Sequence, residues 1–224
     1  MAYEPSLHEV LEAKLAEHQE NIHTSLPAHI ISYDPSTGMA QLQISISKML
    51  PDGDVVDYPP LVNVPVKQMR GGGWFIHMPL NEFDTGIAHF CEKSIDDWVS
   101  TGGVVEPTDY RQHDISDAIF DHGISPKNNP IPLAHSEDFT MGAEDGSIVI
   151  RLKRNGTAIV SNKSGASFVM NADGTFDFIG KAHFHDDINC EGDVSDKKGS
   201  MDQMRSKYNP HTHGDSPPPS LSMG

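Results

Sequence analysis

Two groups of histidines in this chain have the spacing of metal ligands. In "NPHTHGDSPPPS", His211 and His213 stand one residue apart. In an extended segment, side chains at i and i+2 point to the same side, so both imidazoles face one way and Thr212 faces the other. Two imidazoles alone make a poor site. Three copies of the chain around one axis would supply six imidazole nitrogens, enough to fill an octahedral shell without water. Imidazole suits iron, nickel, copper or zinc, and a closed six-nitrogen shell argues against the tetrahedron usual for zinc. A full shell leaves no open position, so such a site is structural and not catalytic. The plainer alternative for a lone His-x-His pair is a solvated tail without a ligand.

The second group is "HFHDD", with His183, His185, Asp186 and Asp187. His-x-His-x-Asp forms part of a metallo-hydrolase pattern, in which imidazole and carboxylate hold zinc beside an open water position. The pattern fails at the next step, because Ile188 stands where another histidine is needed. The alternating β and α elements that carry such a site are also missing. The residues then read as a strand with His183 and His185 outward and Phe184 inward. Cys91 has no identifiable base nearby, and Gly71–Gly73 is followed by "WFIH", not by the lysine and helix of a phosphate loop. The chain is expected not to be an enzyme. A metal-dependent hydrolase using His183, His185 and Asp187 is the alternative.

Composition narrows the partners. Of 224 residues, 37% are hydrophobic and 7% aromatic, with 19 glycines and 16 prolines. That is lean for a thick core and rich in turns, which suits an elongated or oligomeric β protein. The formal net charge of −16 excludes the clustered basic surface that phosphate backbones require, so nucleic acid is not an expected partner. Cys91 and Cys190 form no disulfide framework, and the opening "MAYEPSLHEV" has no basic-then-apolar signal. A soluble chain made in a reducing compartment is the reading.

The elements that must position the histidines fall into three stretches. In "SLHEVLEAKLAEHQENIHTSLP", Leu7, Val10, Leu11, Leu15 and Ile22 recur near helical spacing, Ser6 and Glu9 form a capping box, and Pro27 is expected to end the helix. So narrow an apolar stripe suits docking on a neighbour, and a helix packed on its own domain is the alternative. Residues 28–122 read as short strands and tight turns: "AHIISY", the turn "DPSTG", the alternating "MAQLQISIS", then "LVNVPV", "WFIHMPL" and "GIAHFCE". Leu42, Ile44 and Ile46 are expected on one sheet face. With the short helix "SIDDWVS", these strands predict a small Greek-key barrel of the OB type. A single-stranded nucleic-acid-binding OB module is the alternative, but the aromatic and basic mixture it needs is absent. From about residue 136, "DGSIVIRLKR", "NGTAIVSNK", "SGASFVMNA" and "DGTFDFIGK" repeat, with Gly146, Gly156, Gly165 and Gly174 in matching places. Each unit is one strand and one tight turn. A strip of such strands cannot bury both faces alone. Three interwound chains with Ile150, Val160 and Phe178 inward would bury one. An ordinary antiparallel sheet in a monomer is the alternative. The prolines of "SPPPS" cannot donate backbone hydrogen bonds and would cap the exposed strand edges.

The segment "CEKSIDDWVSTGGVVEPTDYRQHDISDAIF", the glycine-punctuated strands and "KGSMDQMRSKYNPHTHG" together resemble the central spike proteins of contractile-tailed bacteriophages, the baseplate assembly protein V type. The resemblance covers about residues 26–224 and lacks a counterpart for so long an N-terminal helix. It implies an all-β fold with an N-terminal helix (1–27), an OB-fold domain (28–130), an intertwined trimeric β-helix needle (131–210) and a metal-binding tip (211–224). It implies a homotrimer whose tip holds one iron ion through His211 and His213, with further axial ions allowed. The implied partners are baseplate and tail tube proteins. The implied place is the baseplate tip of the virion, assembled in the host cytoplasm, from which the needle pierces the host outer membrane. A related contractile particle fits the same pattern.

Overall fold

The computed structural model describes residues 5–50, 52–106 and 108–221, and the chain divides into two units, Met1–Ile131 and Pro132–Gly224. The first unit begins with α1 (Leu7–Glu20). Its capping box forms: the Glu9 N–H donates to Ser6 Oγ at 3.3 Å, and the Ser6 N–H donates to the Glu9 carboxylate at 2.7 Å. The helix stops at Asn21, so Pro27 does not end it. Pro27 lies inside the first strand, where its carbonyl accepts from the Ser45 N–H at 2.8 Å. Missing an N–H costs nothing at a ladder position that only needs an acceptor.

The strands of this unit are β1 (Ser25–Asp34), β2 (Met39–Ile44), a short hairpin of β3 (Lys48–Met49) and β4 (Val55–Val56), β5 (Leu61–Pro65), a second hairpin of β6 (Met69–Gly71) and β7 (Trp74–Ile76), β8 (Thr85–Phe90) and β9 (Ala118–His122). Helix α2 (Asp96–Thr101) lies between the last two. Five strands pair in the order β5-β2-β1-β8-β9, antiparallel throughout. The edge strands meet at one parallel bridge, Val66 to Phe120, where the Lys67 N–H donates to the Phe120 carbonyl at 2.8 Å. The result is a curled half-barrel, consistent with the OB-type expectation. Its core is Ile30, Ala40, Leu42, Ile44, Val64, Ala88, Phe120 and their neighbours. Leu42 and Ile44 are buried as expected from alternation, but β2 ends at Ile44 and Ile46 is exposed.

Gly86 shows how tightly the barrel closes. A Cβ there would collide with the Asp121 carbonyl oxygen and come within 2.7 Å of the Phe120 ring. Backbone and a fully buried ring cannot both yield. Gly86→Ala is expected to destabilise the barrel by about 1–3 kcal/mol, read as a lower urea midpoint, while Gly38→Ala, whose site is open and at a solvent-side turn, loses only the cost of its positive φ.

The segment 91–120 is fastened by a buried charge. Asp117 is fully buried at the foot of β9. Its carboxylate accepts from Arg111 Nε at 2.6 Å and Nη2 at 2.9 Å, and from the Ile95 N–H at 3.0 Å. Its carbonyl accepts from the Cys91 N–H at 2.8 Å. Arg111 also reaches Asp96 on α2 and Asp109 at 2.8 Å. One guanidinium therefore joins α2, the loop after it and β9, as a planar fork of donors allows. The surrounding carboxylates raise the Arg111 pKa further above its usual range, and the Arg111 bonds hold Asp109 below the usual carboxylate range. Burial pushes the Cys91 thiol up, which makes it a poor nucleophile.

The second unit is a meander of β10 (Phe139–Gly142), β11 (Ile148–Leu152), β12 (Ala158–Asn162), β13 (Ser167–Met170) and β14 (Phe176–Ile179), each pairing antiparallel with the next. The repeat has a single turn design. The N–H groups of Gly146, Gly156, Gly165 and Gly174 donate to the carbonyls three residues earlier, at 2.9–3.1 Å, with φ between +72° and +90°. In three of the four turns, the side chain before the glycine accepts from the N–H after it: Asp145 from Ser147, Asn155 from Thr157 and Asp173 from Thr175. These bonds keep Asp145 and Asp173 below the usual carboxylate range. Beyond the meander come the small hairpin of β15 (Ser195–Asp196) and β16 (Gly199–Ser200), then α3 (Met201–Tyr208). The helix falls within 131–210, where strands were expected throughout.

Candidate assembly face and metal tip

The cross-strand register of the meander sorts its side chains. Met141 faces Ile150, Ile150 faces Val160, Val160 faces Phe168, and Phe168 faces Phe178. Directly paired residues share a sheet face, and so do residues two apart along a strand. Phe139, Ile148, Leu152, Ala158, Met170 and Phe176 therefore join the same face. The opposite face is mixed, with Val149, Ile159, Val169 and Ile179 among Thr140, Arg151, Ser161, Ser167 and Asp177. Ile150, Val160 and Phe178 lie together on the apolar face, as the repeat predicts.

Among the described residues of the second unit, no further layer covers that face. No described residue from 132 to 221 is buried, and Phe178 is 72% exposed. Phe168 stacks with Phe176 at a ring-centroid distance of 5.6 Å and meets Phe178 in a tilted pair at 5.0 Å, a continuous aromatic surface. Backbone hydrogen bonding within the sheet is satisfied by consecutive strands of the same chain. An antiparallel sheet, the alternative weighed above, is thus what one chain forms, but it is a sheet without its second layer. Contiguous exposed apolar area of this extent marks an interaction surface.

At the end of the chain, His211 and His213 come together, with ring centroids 5.1 Å apart and rings edge to face. The preceding segment is helical and not extended. Ser200 begins α3 with a capping box to Gln203, and Met201, Met204 and Tyr208 border an open groove of about 670 Å³. His211 packs on Tyr208 at 4.9 Å, and its Nδ1 lies within hydrogen-bond distance of the Tyr208 carbonyl. A carbonyl only accepts, so Nδ1 is the donor in this contact. Two imidazoles thus stand together in one chain, one of them held by its own backbone contact. Among the described residues, no three His, Cys, Asp or Glu side chains of one chain converge on a possible metal position. Residues 222–224 of the expected tip lie outside the described residues.

His183, His185 and Asp187 lie in an irregular segment between β14 and β15, all exposed. No strand runs through 183–185, and Phe184 is exposed, not inward. No hydrogen bond or ion pair joins the two histidines to Asp187.

Residues 26–123 match the family model described as the phage protein Gp138 N-terminal domain. The matched stretch runs from the start of β1 to just past β9, which is the half-barrel with its Arg111–Asp117 fastening. The match supports a phage structural protein with a tail- or baseplate-related role, consistent with a virion component. No curated protein matches the chain.

Sequence reasoning missed three features of these sites. The Arg111–Asp117 pair had a signal: Arg111 is the only Lys or Arg from 94 to 126, among seven acidic residues. Helix α3 had one in Ser200 and Gln203, the spacing of a capping box. Strand β9 had one in "AIF", a short apolar run with Gly123 three residues beyond it.

Proposed function

We propose that this protein is the central spike of a contractile phage tail or a related contractile particle, a homotrimer placed at the baseplate tip that pierces the host outer membrane. The observation that carries this reading is the one-sided meander, an apolar sheet face without a second layer, attached to a barrel unit similar to a phage domain. Three such faces turned toward one axis would form a closed apolar core with the mixed faces outward, an intertwined needle. The polar exterior does not partition into lipid, so penetration would be driven by the tail, with tail tube and baseplate proteins above the barrel. The half-barrel serves as a structural adaptor, not as a nucleic-acid-binding module, because the chain's charge opposes phosphate.

In this reading His211 and His213 of three chains hold one iron ion through six nitrogens, and the site closes the tip without catalysing a reaction. The groove beside α3 would be filled by the neighbouring chains. Elemental analysis of purified protein tests the tip. One iron per three chains is expected, lost in His211→Ala/His213→Ala while the mass in solution stays unchanged. His183→Ala/His185→Ala should keep the metal. Loss from the second variant and retention by the first would overturn the tip and favour the hydrolase reading.

A further inference from the structure

Among the exposed apolar surfaces of the first unit's described residues, two belong to neither the meander nor the tip and match each other in charge. One is α1. Leu7, Leu11 and Leu15 recur every four residues with Val10 beside them, and no residue of the helix is buried. Its charge is acidic: Glu9, Glu12, Glu17 and Glu20 against Lys14, which is itself engaged by Glu17 at 2.6 Å. The other is the β6–β7 hairpin. Met69, Trp74, Phe75 and Ile76 are exposed, Trp74 by 83%. The stretch 58–81 around it contains no Asp or Glu, in a chain that has 32, and carries Lys67 and Arg70. Lys67 pairs with Asp121, and no ion pair engages Arg70 among the described residues.

The two surfaces complement each other. One is an acidic helix with a leucine stripe, the other an acid-free aromatic hairpin with an unpaired arginine. Self-association of α1 fits less well. A coiled-coil seam through Leu11 and Leu15 takes His8 and His18 into its core layers, and one through Leu7 and Leu11 takes Lys14 and His18, each a costly polar layer. We propose that α1 of one copy packs on the β6–β7 hairpin of a neighbouring copy, with Leu11 and Leu15 against Trp74 and Phe75 and the helix carboxylates beside Arg70. Such a head-to-tail contact closes into a ring when its rotation matches the symmetry of the assembly. It rests on the reading that copies of this chain assemble around one axis, and it adds a clasp at the barrel end of the particle.

A photoreactive benzoylphenylalanine in place of Phe75 in the full chain tests the contact. Irradiation should give bands at two or three times the chain mass on a denaturing gel, with peptide mapping placing the links in residues 7–22. Leu11→Glu/Leu15→Glu in the same protein should lower the yield of those bands at least about tenfold, since each 1.4 kcal/mol of lost contact is a factor of ten. Links confined to one chain, links to other segments, or a yield indifferent to the leucine pair would each overturn the proposal. Light scattering on the same sample separates the two readings. A trimer whose links avoid α1 sinks the clasp alone, and a monomer sinks the trimer as well.

Discussion

Replacing Val160 and Phe178 by aspartate is expected to reduce the particle to single chains. Both side chains sit on the apolar face, linked through Phe168 by the cross-strand register. In a threefold core each substitution places three carboxylates near one axis, in a medium where an unpaired charge costs several kcal/mol even after relaxation. The in-chain ladder does not offset this, because its hydrogen bonds are the same in monomer and trimer. The mass in solution should fall to one third, and dyes that bind exposed apolar surface should bind more strongly. Ser161→Asp, on the opposite face of the same strand, should leave the mass unchanged. Equal effects from the two faces would contradict the assignment of the apolar side as the interior.

Arg111→Met is expected to be the most damaging single substitution in the barrel. It leaves Asp117 fully buried with only the Ile95 N–H as a partner, and breaking a buried pair by removing one member costs about 3–5 kcal/mol. That is a large share of the roughly 5–15 kcal/mol that holds a domain folded. Arg111→Lys should recover part of it, since a single ammonium restores the charge but cannot span Asp96, Asp109 and Asp117 as a planar fork does. Adding Asp117→Asn to Arg111→Met should also recover part, because the stranded charge disappears. Urea unfolding of the four proteins measures this. A loss under about 1 kcal/mol in Arg111→Met, the range of a surface pair, would show that the buried carboxylate does not fasten the segment.

The contrast between these sites explains what could be read in advance. The meander was legible because its period is local: an Asp or Asn, a glycine at positive φ and a strand, each fixed by bonds within a few residues. The half-barrel was legible in its alternating strands, and least so where an end decides the outcome, as with Ile46 just past β2 and Pro27 inside β1. Asp117 was opaque because its burial depends on a guanidinium that arrives from a loop after α2, a tertiary fact without periodicity. The proximity of His211 and His213 follows from their spacing, but their support does not: the sequence suggests an extended approach, whereas a helix, α3, precedes them and His211 contacts the Tyr208 carbonyl. Strand periodicity alone left open whether the strands of β10–β14 pair within one chain, as they do, or between chains, because both arrangements share the same local alternation.

All of this turns on whether the bare face of the meander is an interior. Light scattering on the full chain at micromolar concentration decides it, since dilution to that range leaves an obligate assembly intact. A mass of about three times 24.5 kDa is expected. A mass of 24.5 kDa would mean that the face is open to solvent in the native protein, and neither needle nor shared metal tip could stand.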